Sequence, residues 1–283
     1  MRQDGALVGF SYDREQQITA WHRHVTGDVG MPDQFLSVAT LHGDYADQIW
    51  FVVRRNGQQL IERFNPEQMK WVFGAPRSTL SLPASSSGVS VDQLLDSFMD
   101  SQITVTGVSY GGGRSYSIPH LKNRQVVTPG LRTASAMTVP SDGTLQVQNT
   151  SAYPTKTLWG LSYSSVLTPT RLDVPLQEGT SLLKLFRLTR MQLKLFRYCG
   201  YGLKLFEKPY PADIAGVQDI SLAQFERYPA YHSLLTTEGY TGSTDVLSTT
   251  FEWTRHPQMT LLIRDAGFVG ILGAVLNFDM GGG

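Results

Sequence analysis

Short apolar runs that end at turn-forming residues are the feature that most constrains the fold of this chain. Within residues 1–66 the runs are ALVGFSY, ITAWHRHV, QFLSVATL, IWFVVRR and QQLIERF. They are rich in β-branched and aromatic residues and are bounded by Gly, Asp, Asn or Pro, which is typical of strands. Asn56-Gly57, between the last two runs, is a strong hairpin signal. We predict four or five antiparallel strands here, in a meander like one propeller blade.

The rest of the chain predicts three further segments. Residues 67–90 are rich in proline and serine and predict a linker. Runs joined by Gly and Asp turns predict a small β domain, a barrel or sandwich, over residues 91–155. Residues 156–283 predict a C-terminal β platform domain that ends in a hairpin of two apolar runs, MTLLIRDAG and FVGILGAVLNF. The predicted fold class is therefore all-β: a propeller-blade-like antiparallel meander, a small β-barrel/sandwich domain and a C-terminal β-rich platform domain.

Composition narrows the classes of function. Charged residues make up only 17% of the chain and the net charge is zero. The chain therefore lacks the excess of basic residues that is typical of a free nucleic-acid-binding protein. A single cysteine, Cys199, supports neither an internal disulfide nor a cysteine-based zinc site. No apolar run approaches the ~18 residues needed to span a bilayer. We expect a soluble protein with no membrane-spanning segment.

His22 and His24 raise the question of a metal site. Residues i and i+2 of a strand share a face, so both imidazoles could bind one metal, with His42 or Asp44 as a third ligand. The alternative is a histidine pair on a partly exposed sheet face, with the neighbouring tryptophan and arginine in a cation–π contact on the opposite face. We favour this second interpretation and expect no metal and no cofactor.

Other catalytic patterns are weak. The chain has no G-x-S-x-G elbow, no H-E-x-x-H motif and no phosphate-binding loop. Asp96 and Asp100 could form a glycosidase dyad if both faced a cleft, but a solvated helix face is the better interpretation. We therefore expect no enzyme. The enzymatic alternative, a His-dependent nuclease or a wall-degrading hydrolase, would lose its activity when His22 and His24 are replaced by alanine.

The run LLKLFRLTRMQLKLFRYCGYGLKLFEKPY repeats Lys-Leu-Phe three times. On a helix its basic side chains would share one side, whereas on a strand apolar and polar side chains would alternate from Met191 to Phe196. The paired glycines, Gly200 and Gly202, favour a hairpin of two strands. The basic side chains could contact a polyanion, line a channel, form salt bridges between subunits or face solvent, and we favour the last two. The candidates are Lys184, Arg187, Arg190, Lys194 and Arg197.

Several motifs resemble one known family. DGALVGFSYDREQQITAWHRHV, FLSVATL and DQIWFVVRRNGQQLIERF are similar to a stretch of the podovirus-type tail nozzle proteins, the tail tubular protein B family. Later segments resemble it too, with Asn123 where the family has glycine and Ser162 where it has proline. The likeness covers the C-terminal half of a typical member. The structural motif residues are Tyr12, Arg14, Glu15, Gln16, Trp21, His22, Arg23, His24, Trp50, Arg54 and Arg55.

This resemblance implies a structural virion protein of a short-tailed phage. It implies a homo-oligomer of six copies that forms the nozzle or hub of the DNA-ejection channel, through which genomic DNA passes transiently. The partners it implies are other tail proteins, namely the adaptor and the fibres or spikes. The implied location is the virion tail, assembled in the host cytoplasm, and the resemblance implies no catalytic residue. The alternative is an adaptor module that docks tail fibres or tailspikes, with residues 91–155 as the docking surface.

Overall fold

The structure is a computed structural model, and it confirms the all-β prediction, because most of the described residues lie in antiparallel strands. An α-helix, Pro66–Val72, and a 3₁₀ turn, Pro119–Leu121, lie among the described residues. The described residues are 3–15, 18–28, 31–43, 47–72, 74–75, 79–80, 98–128, 136–148, 155–163, 165–168, 175–176, 179–180, 184–198, 203–206, 218–219, 240–247, 253–254, 260–263 and 269–281.

The chain divides into two compact units, residues 1–163 and 164–283. The finer division into a meander, a linker, a small β domain and a platform domain stays a prediction. Each unit is described by itself below.

The first part of unit 1 contains the strands predicted within residues 1–66. They are β1 (Leu7–Asp13), β2 (Ile18–His24), β3 (Gly27–Asp28), β4 (Met31–Pro32), β5 (Gln34–Leu41), β6 (Gln48–Arg55) and β7 (Gln58–Arg63). All pair antiparallel with a neighbour in the chain, but they form separate sheets, β1-β2, β3-β4 and β5-β6-β7, rather than one blade. The short β3-β4 ladder interrupts the series, because the Asp33 N–H donates to the Thr26 carbonyl there and turns the chain.

The hairpin predicted at Asn56-Gly57 is confirmed. Arg55 pairs with Gln58, and the two residues between them have positive φ values of 48° and 77°. Positive φ at both central positions defines a type I′ turn, whose twist matches that of the flanking strands. The turn thus fixes the register of β6 against β7.

The second part of unit 1 is built from two sheets around one core. Its strands are β8 (Asp100–Thr106), β9 (Val108–Tyr110), β10 (Gly113–Ser117), β11 (Gln125–Val127), β12 (Met137–Thr138), β13 (Thr144–Gln148) and β14 (Lys156–Leu161). They form the sheets β13-β10-β9 and β12-β11-β14-β8. Both sheets contribute to the core, in which the rings of Tyr116 and Trp159 lie 5.3 Å apart. Strand β14, at the start of the segment predicted as the platform, is an interior strand of this part.

Unit 2 consists of β15 (Ser165–Leu167), β16 (Pro175–Leu176), β17 (Gly179–Thr180), β18 (Leu185–Tyr198), β19 (Leu203–Phe206), β20 (Gln218–Asp219), β21 (Tyr240–Leu247), β22 (Thr260–Ile263) and β23 (Gly270–Gly281). The sheets are β15-β22-β19-β20, β21-β18-β23 and β16-β17. The basic run therefore forms a strand, as we favoured over a helix. The two hairpin predictions are wrong: β18 does not pair with β19, and β22 does not pair with β23. β21 and β23 occupy both edges of β18, which leaves no edge for β19. β15 and β19 likewise occupy both edges of β22, which leaves no edge for β23.

The alternation predicted for β18 is confirmed. Met191, Leu193 and Leu195 are fully buried, while the residues between them are partly or fully exposed. A register shift between Leu188 and Arg190 inserts one extra residue, which puts Phe186 and Leu188 on the same buried face. The core of unit 2 lies on this face.

Candidate functional site

A buried ionic cluster lies where the two parts of unit 1 meet, and Arg55 is its centre. The Arg55 side chain is only 1% exposed. Its Nε and Nη2 donate to the two carboxylate oxygens of Glu62 at 2.7 and 2.8 Å. Its Nη2 and Nη1 donate to the two oxygens of Asp100 at 2.8 and 3.1 Å, and Nη1 also donates to Asp33 at 2.7 Å. All five guanidinium N–H groups can thus be satisfied by three carboxylates.

The carboxylates have further partners. Arg124 donates to the second oxygen of Asp33. The Thr26 hydroxyl and the Gly27 N–H both donate to Asp100 at 2.9 Å. Burial raises the pKa of Asp33, although Arg55 and Arg124 pull it in the opposite direction. Burial would by itself lower the pKa of Arg55, but hydrogen bonds and charges from Glu62 and Asp100 raise it overall.

The cluster joins distant parts of the chain. Asp33, Arg55 and Glu62 come from the first sixty-six residues, while Asp100 and Arg124 come from the second part of unit 1. The Asn56 side chain adds a neutral tie, because its Nδ2 donates to the Lys122 carbonyl at 3.0 Å. The cluster is a structural joint: its carboxylates are held by guanidinium groups, and Asp100 accepts from Arg55, Thr26 and Gly27. Of the glycosidase pair considered from the sequence, Asp96 lies outside the described residues.

The strand pair β1-β2, residues 7–24, is named the hairpin arm, and His22 and His24 share one of its faces. The His22 Nδ1 and His24 Nε2 atoms lie 2.7 Å apart, with the rings in an edge-to-face arrangement. Burial lowers the pKa of His24, and the charge of His22 lowers it further. Gly9 lies opposite His22, and a Cβ at Gly9 would come within 2.0 Å of the imidazole. Glycine therefore makes room for the His22 ring across the strand.

Of the third ligands considered for a metal, Asp44 lies outside the described residues. His42 is an exposed side chain whose Nδ1 contacts Asp47 at 3.3 Å. Across the described residues, no group of three or more His, Cys, Asp or Glu side chains is arranged to hold a metal ion. The direct contact between the two imidazoles accounts for their placement.

The opposite face of the hairpin arm is aromatic. The rings of Phe10 and Trp21 lie 4.5 Å apart, and those of Phe10 and Tyr12 lie 6.3 Å apart with nearly parallel planes. Trp21 is 73% exposed and Tyr12 65% exposed. We expected a cation–π contact between the tryptophan and the arginine of this strand. In the structure Trp21 packs on Phe10, and Arg23 forms an ion pair with Asp4 at 3.2 Å.

The three-stranded sheet β5-β6-β7 also has an apolar face that points away from its core. Phe35, Phe51 and Val53 are buried on the inner face, with Leu7 of the hairpin arm packed against them. The register places a second set of side chains on the other face, which we name the outer sheet face: Ala39, Leu41, Trp50, Val52 and Ile61.

Leu41 is 53% exposed and Ile61 74% exposed on this outer sheet face. Arg54 and Arg63 lie at its ends. Arg63 stacks over the Trp50 ring at 5.0 Å. Arg54 donates to the Gln34 side chain at 3.3 Å.

The remaining motif residues lie at the turn of the hairpin arm. Arg14 and Glu15 are exposed, and the Glu15 N–H donates to the Asp13 carboxylate at 2.9 Å. Gln16 lies outside the described residues. The motif thus separates into three groups. The described arm residues are exposed apart from the half-buried His24, Trp50 and Arg54 lie on the outer sheet face, and Arg55 is buried.

The basic residues of the β18 segment do not share one environment. Lys184 is partly buried just before β18. The Arg187 guanidinium contacts Asp279 at 2.7 Å and lies 5.2 Å from the centre of the Trp253 ring. Its charge is therefore compensated by the neighbouring strand.

Arg190 and Lys194 are exposed on the face opposite the core. Arg197 is buried, has a positive φ of 52° and lies at a register shift between Leu195 and Tyr198. At this irregularity the Arg197 N–H donates to the Thr241 hydroxyl at 3.1 Å, and the Arg197 guanidinium lies 5.0 Å from the centre of the Phe196 ring. Of the five basic candidates, Arg190 and Lys194 are therefore the ones that lie on the exposed face of β18.

The chain matches no known protein-family model and no curated protein. Among the helices of the described residues, none has the length and apolar character needed to cross a bilayer.

Proposed function

We propose that this protein is a structural component of a phage short tail, which forms the nozzle or hub of the DNA-ejection channel and an attachment platform for neighbouring tail proteins. One observation carries the proposal: unit 1 has two separate apolar surfaces, the aromatic face of the hairpin arm and the outer sheet face. Contiguous exposed apolar patches of this kind mark protein–protein contact surfaces. An assembled shell would bury both.

The buried ionic cluster supports a mechanical role. Removing one member of such a cluster leaves a buried charge without its partner, at a cost of several kcal/mol. Arg55 connects strands β6 and β7 to Asp100 of the second part, so the two parts of unit 1 resist separation. A wall around a passing DNA molecule needs this rigidity more than it needs chemistry.

The charge distribution supports passage of DNA rather than tight binding of it. Each lysine or arginine that neutralises a phosphate adds to affinity through release of counterions. Here the net charge is zero, Arg187 is paired with Asp279, and Arg197 is buried. A conduit with these properties would attract a polyanion weakly and release it readily.

The sequence motifs supply the specific assignment. The resemblance of SYDREQQ, WHRHV and WFVVRR to the tail nozzle family implies six copies around the tail axis and contacts with the adaptor and with fibres or spikes. The implied place of the protein is the virion tail, after assembly in the host cytoplasm.

The test is immuno-electron microscopy of virions from the phage that carries the gene. We expect antibodies against the chain to label the distal end of the tail on its axis. Label at the periphery, on fibres or spikes, would favour the adaptor module instead. Particles that carry the gene but no label on the tail would contradict both assignments.

A further inference from the structure

We infer that the aromatic face of the hairpin arm of one copy binds the outer sheet face of a second copy of this chain. The inference deepens the proposed function, on which it rests, by naming the two surfaces that would join neighbouring subunits. The side chains involved are Phe10, Tyr12 and Trp21 on the arm and Leu41, Trp50 and Ile61 on the sheet.

The hairpin arm needs a partner. An isolated two-stranded hairpin is at best marginally stable in water. Leu7 at the base of the arm packs on the core beneath it. Residues 10–15 and 19–23, in contrast, are exposed on both faces of the arm. Of these two faces, one carries the three aromatic rings, and the other carries Gly9, Ser11, Ala20 and the histidines.

The outer sheet face needs a cover for a different reason. An antiparallel sheet commonly packs one face on a core and presents polar side chains on the other. The β5-β6-β7 sheet instead presents Trp50, Val52 and Ile61 along its centre, although Phe35, Phe51 and Val53 already fill its core side. Both faces of this sheet are therefore suited to packing.

Size and charge match the two surfaces to one another. Strands β1 and β2 have seven residues each, about 23 Å at ~3.3 Å per residue, and β5 and β6 have eight, about 26 Å. The turn of the arm carries Asp13, Arg14 and Glu15, a net negative charge. The outer sheet face is flanked by Arg54 and Arg63, and the register places no acidic residue on it. These opposite charges would orient the arm.

A second copy is the occupant that these observations favour, because each chain has one arm and one complementary face. The two surfaces differ, so their contact is heterologous and repeats from copy to copy until a ring closes. Three half-exposed aromatic rings would supply on the order of 300–450 Å². This is about half of the ~800 Å² that each partner buries in a stable interface. In a closed ring every copy makes this contact twice, once through its arm and once through its sheet, which stabilises the assembly further.

The test compares the association of the full chain with that of two charge variants. We expect Trp21→Lys to weaken self-association by about thirtyfold or more in analytical ultracentrifugation, as loss of a central aromatic anchor does. Val108→Lys is the matched control, because Val108 is 69% exposed on a different sheet of unit 1. Equal association constants for the two variants would overturn the inference. Since Trp21 is exposed, the Trp21→Lys chain should fold, which circular dichroism checks.

A second measurement locates the contact directly. Thr19→Cys lies on the aromatic face and Ser37→Cys on the outer sheet face, each in a chain whose Cys199 is replaced by serine. We expect a short bismaleimide to link the two variants when they are mixed, and to link neither variant to itself. A link between Thr19→Cys and Ser117→Cys, an exposed site on β10, would count against the contact, as would the absence of the mixed product.

The two failures can be told apart. A chain that forms rings in the electron microscope but lacks the mixed product would overturn this inference and leave the proposed function standing. A mixed product from open chains without rings would support the contact and contradict the conduit. A chain that stays monomeric at every concentration tested would contradict both.

Discussion

The Arg55 guanidinium donates two hydrogen bonds to the Asp100 carboxylate, 45 residues further along the chain, at 2.8 and 3.1 Å. The same guanidinium contacts Asp33 and Glu62, so this side chain of β6 holds β7, the start of β8 and the residue between β4 and β5. Because Arg55 is almost fully buried, we expect its loss to lower the stability of the protein.

Replacing Arg55 by methionine should lower the free energy of unfolding by about 3–5 kcal/mol. Glu62 and Asp100 would stay largely buried without their cation, and Asp33 would keep only Arg124. Arg54→Met is the matched control, because Arg54 is exposed on the opposite face of the same strand. We expect its effect to stay within about 0.5 kcal/mol. Denaturation followed by tryptophan fluorescence measures both, with buried Trp159 as a reporter of unit 1. Equal midpoints for the two variants would contradict the role given to the cluster.

The His22–His24 pair predicts a loss of stability in acid. The pKa of His24 is lowered by burial and by His22, so between that lowered value and 6.5 the unfolded chain binds more protons than the folded one. The contribution of His24 to the free energy of unfolding should therefore be complete above pH 6.5. It should be lost as the pH decreases through this window. His24 alone contributes at most about 1.4 kcal/mol per pH unit to this slope, and His120, whose pKa burial also lowers, contributes in the same direction.

His24→Gln should flatten this part of the pH dependence, because it removes the titrating group. Urea denaturation between pH 5 and 8 measures the difference. A steeper slope in His24→Gln than in the parent chain would show that the sign is wrong.

Two glycines with similar positive φ values, Gly57 in the type I′ turn and Gly143 just before β13, predict different costs for replacement by alanine. Gly57→Ala meets no neighbouring atom, so only its φ of 77° opposes the substitution, at about 1–2 kcal/mol. Gly143→Ala has a similar φ of 80° and also brings a Cβ within 2.7 Å of the Pro119 Cα. We expect the second variant to be clearly less stable than the first in thermal unfolding. The reverse order would contradict the backbone geometry of one of the two turns.

The alternation in β18 predicts opposite results for adjacent residues. Leu193→Ala should cost about 2–5 kcal/mol of unfolding free energy, because Leu193 is fully buried in the core of unit 2. Lys194→Ala should change it by less than about 0.5 kcal/mol, because Lys194 points to the exposed face. Denaturant titrations of the two variants decide this point. Similar losses in both would favour a different register for this strand.

Local pattern predicted the strands well because their period of two is imposed by the pleat itself. The alternation from Met191 to Phe196 and the Asn56-Gly57 turn depend only on neighbouring residues, and both are confirmed. Which strands pair is decided elsewhere. β18 takes β21 and β23 as partners, so the nearby β19 and its glycines did not give the expected hairpin.

The ionic cluster was missed because its members are far apart in sequence. Arg54 and Arg55 look alike as residue types, yet one is exposed and the other is buried. Arg55 is two residues after Val53 and four after Phe51, so on a strand all three side chains share one face. This spacing indicates that Arg55 faces the core. Nothing in the sequence around Asp100 or Arg124 indicated that these side chains would meet it.

The most direct test of the proposed conduit is electron microscopy of the purified chain, combined with native mass spectrometry to count subunits. The account predicts a closed ring with a central hole, with six copies as the resemblance implies. A monodisperse monomer without rings would contradict it.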